Sequence, residues 1–215
     1  MIVNERITTY IHSLERGDSE ILSRIAKEAA ASFVPIIRKE TASLLRTLVA
    51  MKRPERILEV GTATGYSALL MSEVMPEGCT ITTIEKYEKR IPEALENFRL
   101  AGKEQVITLI PADAAKALET LSGPFDFIFM DAAKGQYIHF LRDVLRLLSV
   151  GGVLVSDNVL QDGDVIESRF AVPRRNRTIH ARMREYLYTL KHLDCLETAV
   201  IPIGDGVTVS TRVRE

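Results

Sequence analysis

Asp131, Lys134, Asp157 and Asn158 are the residues whose types and spacing point most directly to chemistry. The first two stand in Phe129-Met-Asp131-Ala-Ala-Lys134-Gly-Gln-Tyr137, the others in Leu154-Val-Ser-Asp157-Asn158-Val-Leu160. Each stretch opens on apolar residues that read as a buried strand, so each acid falls where a strand stops. If both strands end at one edge of a sheet, Asp131, Asp157 and Asn158 converge. Two carboxylates and an amide oxygen form a hard, oxygen-only donor set, which suits Mg²⁺ rather than Zn²⁺. No paired Cys or His offers a softer alternative: Cys79 and Cys195 lie far apart, and His12, His139, His180 and His192 show no convergent pattern. Taken singly, Asp131 reads as a capping residue and Asp157-Asn158 as a turn.

A second group gathers around Glu59-Val-Gly61-Thr-Ala-Thr-Gly65-Tyr-Ser67. Gly61 lets the chain turn sharply at a strand end, and Gly65 permits close packing as a helix begins. That helix start presents unpaired N–H groups. The spacing is G-x-x-x-G, without the pyrophosphate cradle of the dinucleotide fingerprint G-x-G-x-x-G. It suits a ligand bearing a carboxylate and an ammonium. Glu85 ends the next strand and is placed to accept two ribose hydroxyls. Asp113 follows the third strand, in Ile110-Pro-Ala-Asp113-Ala114, where a carboxylate can accept an adenine amino group. Each acid alone would pass as a loop residue or helix cap. Their order after successive strands favours a nucleoside-bearing ligand.

The elements that must position these groups follow from hydrophobic periodicity. Short apolar runs at Arg56–Val60, Thr80–Glu85, 105–110, 125–131 and 152–156 alternate with amphipathic stretches near 66–75, 87–101, 114–121 and 136–148. This pattern predicts an α/β fold, a Rossmann-like doubly wound sheet that is mostly parallel and covered on both faces. Ligands in such sheets sit at the carboxyl ends of the strands. Residues 1–52 read as an N-terminal cap of three helices, the third opening at Val34-Pro35. Residues 173–193 read as one more helix. Runs at 199–203 and 207–211, flanking Gly204-Asp205-Gly206, predict an antiparallel C-terminal hairpin at one sheet edge. No linker or repeat divides the chain, so 1–215 reads as a single domain with 53–215 as its catalytic core.

These motifs resemble the class I S-adenosylmethionine methyltransferases over about residues 55–160. The resemblance implies S-adenosylmethionine as cofactor, with Glu59, Gly61, Gly65 and Ser67 around its methionine end, Glu85 at the ribose, and Asp113 and Ala114 at the adenine. Asp131 would touch both cofactor and metal. Residues 34–37, ending in Ile37, match a segment that closes over the cofactor. The Asp-x-x-Lys and Asp-Asn runs resemble the divalent-metal-dependent O-methyltransferases of the catechol and caffeoyl-coenzyme A group. There Asp131, Asp157 and Asn158 would hold Mg²⁺, and Lys134 would remove a proton from the acceptor hydroxyl.

A metal site of this kind selects an acceptor with two adjacent oxygens, such as a catechol or 5-hydroxyuridine. The segment 169–191 discriminates between them. It carries Arg169, Arg174, Arg175, Arg177, Arg182, Arg184 and Lys191 against the single acid Glu185. Arg174, Arg175 and Arg177 crowd a helix start, where the helix dipole disfavours cations. Phosphate binding explains that placement, as would a solvated face or a subunit contact. The chain as a whole has 28 basic and 29 acidic residues, a formal net charge of -1, so only a local patch could grip RNA. FVPI, GTATGYSA, DAAKGQY, DNVL, the arginine-rich helix and IPIGDG resemble the bacterial tRNA 5-hydroxyuridine methyltransferases. This implies an anticodon-loop tRNA partner, with Arg174, Arg175, Arg177 and Arg182 on the RNA. A small-molecule phenol methyltransferase, or a binding protein without catalysis, are the other readings. The polar start at Asn4-Glu5-Arg6 and the lack of a run of ~20 apolar residues predict a soluble, cytoplasmic protein without a membrane partner. The apolar N-terminal helices and the resemblance suggest a homodimer.

Overall fold

The computed structural model describes residues 3–215. Residues 1 and 2 of the expected N-terminal cap lie outside the described residues. The elements run α1 (Glu5–Leu14), α2 (Glu20–Ala31), α3 (Lys39–Lys52), β1 (Arg56–Val60), α4 (Tyr66–Ser72), β2 (Thr80–Glu85), α5 (Ile91–Leu100), β3 (Ile107–Pro111) and α6 (Ala114–Thr120). They continue with β4 (Phe125–Met130), α7 (Tyr137–Leu147), β5 (Leu148–Ser156), α8 (Arg177–His192), β6 (Leu196–Ile201) and β7 (Val207–Arg212). One sheet of seven strands has the order β3-β2-β1-β4-β5-β7-β6. β1 to β5 are parallel; β7 pairs antiparallel with both β5 and β6. This is the expected architecture, including the antiparallel C-terminal strands.

The strand period places alternate residues on opposite faces. Ile57, Phe127 and Phe129 join one core with Leu22, Ile25, Leu45 and Val49 of α2 and α3. Leu58, Val60, Ile128 and Met130 join the other with Phe140, Val144, Met183 and Tyr186 of α7 and α8. Both faces are therefore sealed, and α2 and α3 share the core of the sheet. α1 buries none of its residues.

Two boundaries differ from the sequence reading in ways that shape the site. The third helix begins at Lys39, not at Val34-Pro35. α2 closes with Phe33 in the left-handed region at φ 54°, while Val34 N–H reaches back to the Ala29 carbonyl at 2.8 Å. Pro35 then keeps Val34 out of helical conformation, and residues 34–38 run as a strap. The helix expected from 173 begins at Arg177, after a single tight turn over Arg174–Asn176.

Candidate active site

Strand order reverses at β1, which has β2 on one side and β4 on the other. Chains leaving adjacent strands there diverge and open a crevice. The ladder extends one step past the strands and sets the spacing of the site. Gly61 N–H donates to the Ile84 carbonyl, Asp131 N–H to Val60 and Asp157 N–H to Met130, each at 3.0 Å. Gly61, Asp131 and Asp157 thus stand in a row at the carboxyl ends of β1, β4 and β5. The buried Tyr137 hydroxyl bridges the carbonyls of Met130 and Asp157 at 3.1 and 3.2 Å, fixing the last two relative to each other.

Gly61 has φ +97°, and a Cβ there would collide with the backbone carbonyl of Asp131. Only glycine fits, because the turn presses directly on the next strand end. This contact forms a ridge between two lobes of one cleft. The first, about 480 Å³, is lined by Pro35, Ile37 and Arg38 of the strap, Thr62 and Ser67 of the turn, and Asp131, Lys134, Asp157, Asn158, Asp162 and Asp205. The second, about 420 Å³, is lined by Glu85, Lys86, Asp113, Ala114, Gln136 and Phe140. Gly61, Ala63, Asp131 and Ala132 line both.

Glu59 is not where the sequence reading put it. It is wholly buried beneath the turn and lines neither lobe. Its carboxyl accepts from Ser67 Oγ at 2.5 Å, Thr83 Oγ1 at 2.5 Å and Thr62 Oγ1 at 2.7 Å. Burial pushes its pKa up, and these three hydroxyls oppose the shift. A group so enclosed shapes the turn from below. Because Ser67 gives its proton to Glu59, its lone pairs remain for a donor in the cleft. Gly65 begins α4 at φ +85° against the ring of Phe98 and likewise lies outside both lobes.

Glu85 holds the turn as well. Its Oε2 accepts from Ala63 N at 2.9 Å, and its Oε1 from the backbone N of Lys86 and Tyr87 at 2.9 and 2.8 Å. Asp113 caps α6 through Ala115 N at 3.0 Å and pairs with Lys86 Nζ at 3.3 Å. Those two partners, the lysine first, hold its carboxyl below the usual range. Both acids remain on the wall of the second lobe.

The first lobe is electrostatically unbalanced. Burial first, then the charge of Glu59, pushes Asp131 up to about 6, against the pull of Lys134. Burial, then Asp131 beside it, pushes Asp157 up to about 7. Asn158 adopts φ 61°, which asparagine tolerates, and its Nδ2 lies 3.3 Å from Asp131 Oδ1. Two carboxylates strained by burial and repulsion, with an amide at the same point, fit a hard divalent cation. Among the described residues no group of three or more His, Cys, Asp or Glu is placed to hold a metal ion.

Sequence reasoning missed the partner of Lys134. Asp205 is only 5% exposed, and its Oδ2 accepts from Lys134 Nζ at 3.1 Å. Its other oxygen accepts from Asp162 N. Asp162 Oδ1 pairs with Arg38 Nη2 at 3.1 Å, and Arg38 Nη1 donates to the Gly204 carbonyl at 3.4 Å. The strap, the turn after β5 and the β6–β7 loop are therefore joined around the lysine. Gly204-Asp205-Gly206 reads as a plain turn. The one available signal was that this turn returns to the edge carrying β5's carboxyl end.

The basic segment divides. Arg174 and Arg175 are exposed. Arg177, expected as a free cation, instead donates to the carbonyls of Val172 and Phe170 at 3.3 and 3.4 Å. Arg182 is likewise engaged, donating to the Gly135 carbonyl at 3.0 Å. Both guanidiniums satisfy loop carbonyls that have no ladder partner. Arg182 thereby seats α8 against the Lys134 turn, beside the mouth of the first lobe. Among the described residues no helix is long and apolar enough to cross a membrane.

Comparison with known proteins is consistent with this geometry. The O-methyltransferase family model matches residues 11–213. A caffeoyl-CoA O-methyltransferase of Stellaria longipes is 31% identical, over 99% of this chain and 92% of its own. A catechol O-methyltransferase of Niastella koreensis is 30% identical, over 79% of each chain. The S-adenosylhomocysteine-bound methyltransferase PaMTH1 of Podospora anserina superposes with a TM-score of 0.87 at 27% identity, covering 98% of this chain and 97% of that one.

Proposed function

The chain belongs to the O-methyltransferase family, and we propose that it transfers a methyl group from S-adenosylmethionine to 5-hydroxyuridine in the anticodon loop of tRNA, with Mg²⁺ as the metal. The carrying observation is the two-lobed cleft astride the Gly61–Asp131 ridge. One lobe bears acids suited to a nucleoside, the other bears the carboxylates and the lysine. The S-adenosylhomocysteine in PaMTH1, and the S-adenosylmethionine in the Streptomyces achromogenes O-methyltransferase TomG at 25% identity, support the cofactor.

In this reading Glu85 accepts the ribose hydroxyls, and Asp113 with Ala114 receives the adenine. Gly61 and Ser67 receive the methionine end, beneath Ile37 of the strap. The cofactor supplies the methyl on a sulfonium whose charge disappears on transfer, so the protein contributes mainly alignment. Asp131, Asp157 and Asn158 would hold the metal, which when bound would lower the pKa of an acceptor hydroxyl. Lys134 in its neutral amine form takes the hydroxyl proton on Nζ, and Asp205 holds the ammonium that results.

The RNA acceptor rests on Arg174 and Arg175, exposed on the turn that precedes α8, and on the resemblance of the motifs along the chain. The named relatives support a second reading, a catechol-like small acceptor. Purified protein with labelled S-adenosylmethionine and Mg²⁺, offered tRNA lacking 5-methoxyuridine beside a catechol panel, separates the two. Transfer to catechols and none to tRNA would reverse the ranking. The exposed stripe Ile7, Tyr10, Ile11 and Leu14 of α1 supports a homodimer.

A further inference from the structure

Phe170 is 83% exposed and Ile166 79%, on the segment between the site and α8. Leaving a phenylalanine in water forgoes the burial free energy of a large apolar side chain. The backbone that carries the ring is held in place. Ser168 accepts from the backbone N of Phe170 and Ala171, through its Oγ at 3.3 Å and its carbonyl at 2.9 Å. Val172, 2% exposed, anchors the following residue in the core. Arg177 grips the Phe170 carbonyl, and its guanidinium carbon lies 5.9 Å from the ring centroid. The aromatic thus sits at the tip of a pinned turn. Arg169, Arg174 and Arg175 surround it in sequence, all exposed, while Glu167 is the only acid from 166 to 176. α8, which starts from this turn, packs through Ile179 and Arg182 on Gly135, next to Lys134.

An exposed aromatic ring on a hydrogen-bonded turn, flanked in sequence by exposed cations and followed by the helix that packs beside Lys134, matches an unpaired nucleotide: a flat base with a phosphate on each side. We propose that Phe170, with Arg169, Arg174 and Arg175, is a stacking platform for an unpaired RNA base neighbouring the one that is methylated. The proposal rests on the RNA reading above. A base flipped into the cleft leaves its neighbours unstacked, and the platform replaces the stacking they lose.

The test uses the full chain with S-adenosylhomocysteine present and a fluorescein-labelled anticodon stem–loop, read by anisotropy. Phe170→Ala should weaken binding about tenfold, within the range for one base–aromatic stack. Phe170→Trp should restore it. Melting temperature and S-adenosylhomocysteine affinity should stay at wild-type values in both variants, and a blunt RNA duplex should not distinguish them. If Phe170→Ala binds the stem–loop like wild type while wild type methylates tRNA, the platform is wrong and the RNA reading stands. If wild type transfers nothing to tRNA, both fall. Displacement of the stem–loop by coenzyme A from wild type but not from Phe170→Ala would assign the surface to a small nucleotide and overturn the proposal. A change of oligomeric state in Phe170→Ala would overturn it in favour of a contact between copies.

Discussion

Lys134 Nζ donates to the buried carboxylate of Asp205 at 3.1 Å, across 71 residues of chain. The lysine belongs to the turn after β4, and the aspartate to the loop joining β6 and β7. The pair fixes where the lysine head group points in the first lobe. Asp205→Asn should lower kcat about 10- to 100-fold, as for a lost charge-assisted hydrogen bond, with the cofactor KM unchanged. Asp205→Glu should recover part of the loss. Steady-state kinetics beside a melting curve checks this; a lowered melting temperature with kcat unchanged once the protein is folded would indicate a structural role only.

Replacing Lys134 itself should be more severe. Lys134→Ala should cost ~10²–10⁴-fold in kcat, the usual contribution of a positioned proton-transfer group, while S-adenosylhomocysteine still binds by calorimetry. Activity within a few-fold of wild type would remove the lysine from the chemistry.

The metal proposal predicts loss of methyl transfer on complete chelation and recovery on adding Mg²⁺. Asp131→Ala should abolish turnover and the metal-induced rise in melting temperature, leaving a folded protein by circular dichroism. Full turnover in the chelated enzyme would sink the assignment.

The raised carboxyls give the metal-free protein a pH dependence. Asp131 titrates at about 6 and Asp157 at about 7 in the fold, against about 3.9 for an unfolded aspartate. The native state keeps protons that the unfolded chain has released. Their stabilisation is complete below about pH 4 and is lost as pH rises through 6 and 7. Asp157→Asn should therefore melt progressively higher than wild type as pH rises from about 4 to about 7 in chelator. A constant difference between the two across that range would contradict the electrostatic picture.

Gly61→Ala should be destabilised by ~1–3 kcal/mol, from left-handed strain and the clash with the Asp131 carbonyl. Its affinity for S-adenosylhomocysteine should fall as well, since the ridge between the lobes must move. Unchanged affinity in calorimetry would show that the ridge does not shape the ligand site.

The sequence by itself determined the layer architecture. Strand and helix periods declare themselves locally, and a parallel sheet forces strand ends such as Asp131 and Asp157 to one edge. Glycine spacing around Gly61 and Gly65 was legible for the same reason, since the need for positive φ is a property of single residues. Only the tertiary structure decided what Glu59, Arg177 and Asp205 do. Glu59 ends up beneath the turn because β1 is central and covered on both faces. Arg177 and Arg182 each donate to loop carbonyls that no local pattern reveals as unpaired. Asp205 meets Lys134 because β7 inserts between β5 and β6, a long-range pairing that places a hairpin loop over the site. Residue type and spacing specify which groups can do chemistry. Which of them face the cleft, and with what partners, depends on contacts between segments far apart in the chain.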